Sequence, residues 1–186
     1  MKRTLTLILI FLGSVGVQAQ NKEKAIDVSI GFGLSAPYEE VDYYGRGFYA
    51  QGEYVLSLNK WIDLRPYAGV VLTRMSERDP LINPENHTST ANAFLFGGKT
   101  RLTAPIPWVA PYLEVGVGGS AGSFETVTLY TDIKDSGLFV HIPFSLGIEL
   151  GPSHNVNLEF TYYYHNSVEQ FAGAAAVGLS FPVGIN

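Results

Sequence analysis

One stretch, residues 91–121, limits the possible folds more than any other, because its side chains alternate twice around a single reversal. Phe94, Phe96, Thr100 and Leu102 share one parity, while Lys99 and Arg101 fall on the other. A break at 103–108, containing Pro105 and Pro107, turns the chain. The return sets Val109, Pro111, Leu113, Val115 and Val117 against Tyr112, Glu114, Gly116 and Gly118. Successive side chains of a strand point to opposite faces, so this is a hairpin with one apolar and one polar face. A strand of a soluble sandwich would alternate in the same way, and length separates the two. Each arm has roughly ten or more residues, longer than the usual globular strand and right for a tilted strand crossing a bilayer.

The N-terminus places such a strand in an exported protein. Lys2 and Arg3, an apolar core from Leu5 to Val15, and Val17-Gln18-Ala19 form the three parts of a secretory signal over residues 1–19. The domain to be folded is therefore 20–186, with ten basic against 17 acidic residues. That balance argues against nucleic acid as a partner. Beyond the leader no run of 18 apolar residues occurs, so no helix is expected to cross a membrane. With no cysteine there is no disulfide framework or thiolate metal site, and no cofactor is expected.

Six further stretches repeat the grammar of 91–121. Candidate strands run over 25–35, 47–57, 63–74, the two arms of the opening hairpin, 138–150, 155–165 and 172–183, eight in all. The sixth sets Leu138, Val140, Ile142, Phe144, Leu146, Ile148 and Leu150 against His141, Ser145 and Glu149. Gaps after the odd strands one, three and five, at 36–46, 75–90 and 122–137, are long and polar. Those at 58–62, 103–108 and 151–154 are short. Long loops alternating with tight turns and an even strand count predict an all-β fold, an eight-stranded antiparallel up-and-down transmembrane barrel. Trp61 and Trp108 precede strands that open alike, Leu64-Arg65-Pro66-Tyr67 and Val109-Ala110-Pro111-Tyr112, which puts both rings at one membrane interface as a girdle.

Charge supports the same reading. Among the strand residues, Asp27, Glu53, Glu114, Glu149 and Glu159 and the bases Arg65, Lys99 and Arg101 all fall on the polar parity; the other charges lie in loops, turns or rims. A charge facing lipid costs roughly 2–4 kcal/mol near the midplane, whereas inside a closed barrel the same groups can pair.

These features resemble the small eight-stranded outer-membrane barrels of the Bacteroidota type, the PorT-like or outer-membrane β-barrel domain proteins. The leader ending Gln18-Ala19-Gln20 is similar to theirs. Ala176, Gly178, Phe181 and Val183 resemble the terminal-strand signal read by the barrel-assembly machinery, although the chain continues through Gly184-Ile185-Asn186. The resemblance implies a Gram-negative outer membrane, extracellular long loops, periplasmic termini, contact with outer-membrane lipid and lipopolysaccharide, and the assembly machinery as a partner during insertion. It implies no shared activity.

Eight strands leave an interior that side chains fill. Glu53, Arg65, Lys99, Arg101, Glu114, Glu149 and Glu159 are therefore expected to form one plugging layer. Tyr67 and Tyr112 should be hydrogen-bonded at its edge, with Tyr163 inward as well. A narrow cation-preferring channel is the alternative use of the same groups. His87 and His154 have no spaced partners for a metal. His165-Asn166-Ser167 resembles the His-x-Ser of lipid A deacylase barrels, which implies an acyl hydrolase. Such a hydrolase needs an acid to orient its histidine, and 172–183 contains none, while Val168 stands where an asparagine usually follows. The sequence thus favours a non-enzymatic structural, binding or accessory barrel. Its acidic loops carry Tyr38, Tyr43, Tyr44 and Arg78 toward a partner, for which another outer-membrane protein is a candidate. Pro143, in mid-strand, predicts a bulge or widening between His141 and Ser145.

Overall fold

The computed structural model describes residues 24–38, 44–75, 88–128 and 132–183. The expected signal segment lies outside them, as do Tyr43, Arg78, His87 and most of the loop acids. Eight strands follow one another: β1 Lys24–Pro37, β2 Gly45–Ser57, β3 Ile62–Met75, β4 Thr88–Thr103, β5 Trp108–Val127, β6 Asp132–Gly151, β7 Val156–His165 and β8 Gln170–Pro182. Each pairs antiparallel with the next, and β8 pairs with β1, so the sheet closes into a barrel. Closure removes the free edges that an open sheet would expose.

The register fixes the slant of the wall. From Leu34, paired residues lead in turn to Gly173, Tyr162, Phe144, Val115, Thr100, Leu64, Leu56 and finally Lys24. One circuit therefore returns to β1 displaced by ten residues, which requires strands tilted by about 40° from the axis. Period-two alternation then sends one parity outward. Ile26 to Phe32 on β1, Val109 to Val117 on β5 and Leu138 to Leu146 on β6 show their apolar side chains outside. No Asp, Glu, Lys or Arg interrupts this band among the described residues.

One sequence expectation is corrected and another is narrowed. Residues 122–137 are not a long loop. β5 and β6 stay paired as far as Val127 with Asp132, and Glu125 of β5 meets Lys134 of β6 at 2.7 Å. Beyond the apolar band a strand needs no outward apolar residue, so alternation of hydrophobicity stops before the ladder does. At Pro143 the expected interruption is present as a gap in one ladder, the widening and not the bulge. Pairing of β5 with β6 lapses between Val115 with Phe144 and Gly118 with His141, but the register is the same on both sides, so no extra residue is inserted. On its other side Pro143 pairs normally with Tyr163. Pro66 does the same to β2 and β3, whose pairing lapses between Glu53 with Tyr67 and Leu56 with Leu64. Each proline lacks one donor, and it faces one neighbour only.

The lumen is filled by large side chains set against small ones. Ala172, Ala174 and Ala176 of β8 are all buried. At Gly118 a Cβ would run into the Tyr67 hydroxyl, the Phe96 carbonyl and the His141 ring, so glycine is what lets those groups occupy the centre.

Candidate functional site in the barrel interior

The half of the lumen nearest the short turns holds an ionic layer. Arg65 from β3 pairs with Asp27 of β1, and its Nη1 donates to Glu53 Oε2 of β2 at 3.0 Å. Lys99 from β4 pairs with Glu53 and, at 2.6 Å, with Glu114 Oε2 of β5. Two residues on, Arg101 donates through Nε to Glu114 Oε1 at 2.6 Å and through Nη1 to Glu149 Oε1 of β6 at 2.7 Å. The face of Tyr112 lies 3.7 Å from the Arg101 guanidinium. Each base touches at least two acids, because a buried charge without a partner costs several kcal/mol.

The membership of this layer differs in detail from the expected seven. Asp27 belongs to it, and Asp63 at the rim reaches Arg65 at 3.4 Å. Glu159 meets no base within ion-pair distance among the described residues; Tyr112 approaches its Oε2 at 3.5 Å and its Oε1 is buried without a hydrogen bond. Glu53, Glu114 and Glu159 bring one oxygen each within 4.8 Å of one another. That spacing suits a cation, and the Lys99 ammonium against Glu53 and Glu114 already supplies one.

Above the ionic layer the filling is uncharged. Tyr67 is not hydrogen-bonded at the edge of the charges; Lys99 stands over its ring at 5.4 Å while its hydroxyl meets His141 Nε2 at 2.5 Å. His141 Nδ1 lies 2.6 Å from Ser120 Oγ, Ser120 Oγ lies 2.7 Å from His165 Nε2, and His165 Nδ1 lies 3.1 Å from the carbonyl of Tyr163. That carbonyl can only accept, so with one proton per ring the direction of every bond follows. His165 donates through Nδ1 and accepts from the Ser120 hydroxyl. His141 donates to Ser120, and Tyr67 donates to His141. A second run joins Tyr163, which donates to Gln51 Oε1 at 2.5 Å, to Gln51, which donates to Glu53 at 2.8 Å. Tyr49 meets the Tyr163 hydroxyl at 3.0 Å. Phe124 and Phe139 pack edge to face above, with centroids 5.3 Å apart. Ser120 was missed in the sequence, though its inward parity on β5 was a usable signal.

Ser167 does not meet this chain. It is exposed in a three-residue 3-10 turn, Asn166–Val168, while both nitrogens of buried His165 are engaged elsewhere. Trp61 and Trp108 stand exposed at the short-turn end, where Thr103 N donates to Trp61 O at 2.9 Å.

No family model matches the chain, and no curated protein matches its sequence. Among solved structures it is similar to Neisserial surface protein A, at 12% identity and a TM-score of 0.60 over 86% of this chain and 97% of that one. The fold is that of a small eight-stranded outer-membrane barrel. It is also similar to the N-terminal β-barrel domain of Pseudomonas aeruginosa OprF, at 11% identity and a TM-score of 0.49 over 87% of this chain and all of that one. The outer membrane enzyme PagL aligns at 13% identity and a TM-score of 0.48, over 84% and 99%. At such identities the likeness extends to the fold alone.

Proposed function

We propose that the chain is a non-enzymatic protein of the Gram-negative outer membrane, of the Bacteroidota PorT-like type, with a lumen closed by its own side chains. Its long loops face outside the cell and dock a partner, for which a second outer-membrane protein is the favoured class. Lys24 and Pro182 then lie at the periplasmic end. The filled interior carries the closed-lumen reading: an ionic layer of eight side chains lies beneath buried Tyr49, Tyr67, Tyr163, Phe124 and Phe139. Eight strands leave no room for a water column past such groups. The uncharged outward band supports burial in outer-membrane lipid and lipopolysaccharide after insertion by the barrel-assembly machinery, with Trp61 and Trp108 as a periplasmic girdle. In planar bilayers the folded protein is expected to stay silent, and stepwise conductance would replace the plug with a narrow channel. Affinity capture from envelopes in mild detergent is expected to return a partner; a reproducibly partnerless monomer counts against docking. Acyl-chain release from lipid A by the native protein, lost in Ser167→Ala, would overturn the non-enzymatic reading.

A further inference from the structure

The barrel wall is not equally tall all round. β4, β5 and β6 stay paired up to Thr88 with Val127 and Val127 with Asp132, whereas β6 first meets β7 at Ile142 with Tyr164. After His165 the chain leaves the wall through the turn Asn166–Val168, where the buried Thr126 hydroxyl donates to the Val168 carbonyl at 3.0 Å. Over Asp132–His141, β6 therefore has β5 on one side and, among the described residues, no strand on the other. Pro143 gives the phase of this open edge. Its missing donor faces β5, because that ladder lapses there while the ladder to β7 does not. Both backbone groups of a residue in an antiparallel strand face one side, and the side alternates along the chain. Asp132, Lys134, Ser136, Leu138 and Val140 consequently turn their N–H and C=O to the open edge. Of these donors, Ser136 N is bonded locally, to Asp135 Oδ1 at 2.8 Å. Leu138 and Val140 belong to the outward apolar band and are 71% and 69% exposed. Backbone groups left unpaired at that depth have hydrocarbon beside them in place of water, which is costly.

We infer that the β6 edge over Asp132–His141 is the docking surface for an extended segment of a second outer-membrane protein, added antiparallel above the end of β7. This names the contact for the partner proposed above and rests on that docking reading. Main-chain hydrogen bonds hold the segment, and its side chains alternate between faces as those of β6 do. Apolar residues at its lower end lie beside Leu138 and Val140. A basic residue at its upper end faces Asp132 and Asp135, since Lys134 is already engaged by Glu125 at 2.7 Å. A second copy of this chain suits the edge poorly. Two barrels standing the same way in one membrane bring β6 beside β6 in parallel, with each Asp132 and Asp135 close to its own counterpart. Like charges across paired strands repel.

The test is hydrogen–deuterium exchange of the full barrel, in outer-membrane vesicles at native abundance and in liposomes of the lipid extracted from them. Exchange across Asp132–His141 is expected to be at least about tenfold slower in the vesicles, as for amides closed by a neighbouring strand. Leu138→Pro removes one edge donor and leaves the β5 ladder whole, so the barrel should fold and the protection should be lost. Lys134→Pro does the same at the upper end if the first variant does not fold. Equally fast exchange in both membranes overturns the edge as a dock. Equally slow exchange in both shows that this chain closes the edge itself, and overturns the dock as well. Protection unchanged in both proline variants does the same. Affinity capture separates this inference from the reading beneath it. A partner recovered equally by wild type and Leu138→Pro keeps docking and overturns the edge. A barrel that recovers no partner refutes docking itself, and the edge with it.

Discussion

The lower and upper halves of the lumen are filled alike, by inward side chains from every strand, yet they are held together by different forces. Below, Arg65, Lys99 and Arg101 each contact two or more carboxylates, and the groups form a mesh. Above, Tyr67, His141, Ser120 and His165 form a single file whose direction is set by one carbonyl. A mesh tolerates small displacements, but deleting one member leaves buried charge behind. A file loses its order when any link is cut, yet what remains is uncharged. The lower half should therefore dominate stability, and the upper half should dominate the definition of the closed state.

The largest effect is expected in the mesh. Arg101→Gln removes the donors that hold Glu114 and Glu149 and should cost about 3–5 kcal/mol, the usual result of breaking a buried pair. Urea unfolding in micelles measures it, alongside Lys134→Gln, whose surface contact with Glu125 should produce no measurable change. If the two variants unfold together, the ionic layer is not what holds the barrel. Gly118→Ala comes next, because its Cβ meets the Tyr67 hydroxyl, the Phe96 carbonyl and the His141 ring. Overpacking of that kind should cost about 1–3 kcal/mol. Gly137→Ala, which meets nothing within 4 Å, should be neutral; equal losses at both would show that the centre is looser than the contacts imply. Ser120→Ala should then cost about 2 kcal/mol, because it leaves one imidazole donor and one imidazole acceptor buried without partners. Proton NMR of the two imidazole rings provides a second reading, since the fixed tautomers should begin to exchange. Unaltered ring resonances would show that Ser120 does not link them.

The two halves were unequally legible in the sequence, and the reason is physical. Lipid excludes charge, so an alternating strand can carry Glu53, Arg65, Lys99, Arg101 and Glu114 on one parity only, and the inward face is read directly. Parity and distance from the short turns then bring these charges to one height. Ser120, Tyr67 and His141 carry no such constraint, because serine, tyrosine and histidine are tolerated on either face near an interface. Their meeting depends on the ten-residue stagger of the register, which period-two alternation does not encode. The same stagger brings Asp27 to Arg65. The extension of β5 and β6 to Val127 and Asp132 escaped notice for a related cause: outside the membrane the outward face turns polar, and Ser123 and Glu125 read as loop.

Tyr112 marks the seam between these two kinds of filling and yields the smallest effect. Its ring lies 3.7 Å from the Arg101 guanidinium, whereas its hydroxyl reaches Glu159 only at 3.5 Å, the outer limit of a hydrogen bond. The ring therefore contributes through the face it offers to a cation, and the hydroxyl contributes little. Tyr112→Phe keeps the face and should cost less than about 1 kcal/mol, below the usual net value of a well-formed hydrogen bond. Tyr112→Leu discards the face and, with it, an interaction worth about 2 kcal/mol when desolvated. Equilibrium unfolding of both variants separates the contributions. If Phe proves as damaging as Leu, the contact to Glu159 is the stronger one. The seam would then belong to the hydrogen-bonded half of the lumen, and Glu159 would be held by Tyr112 in place of the base it lacks.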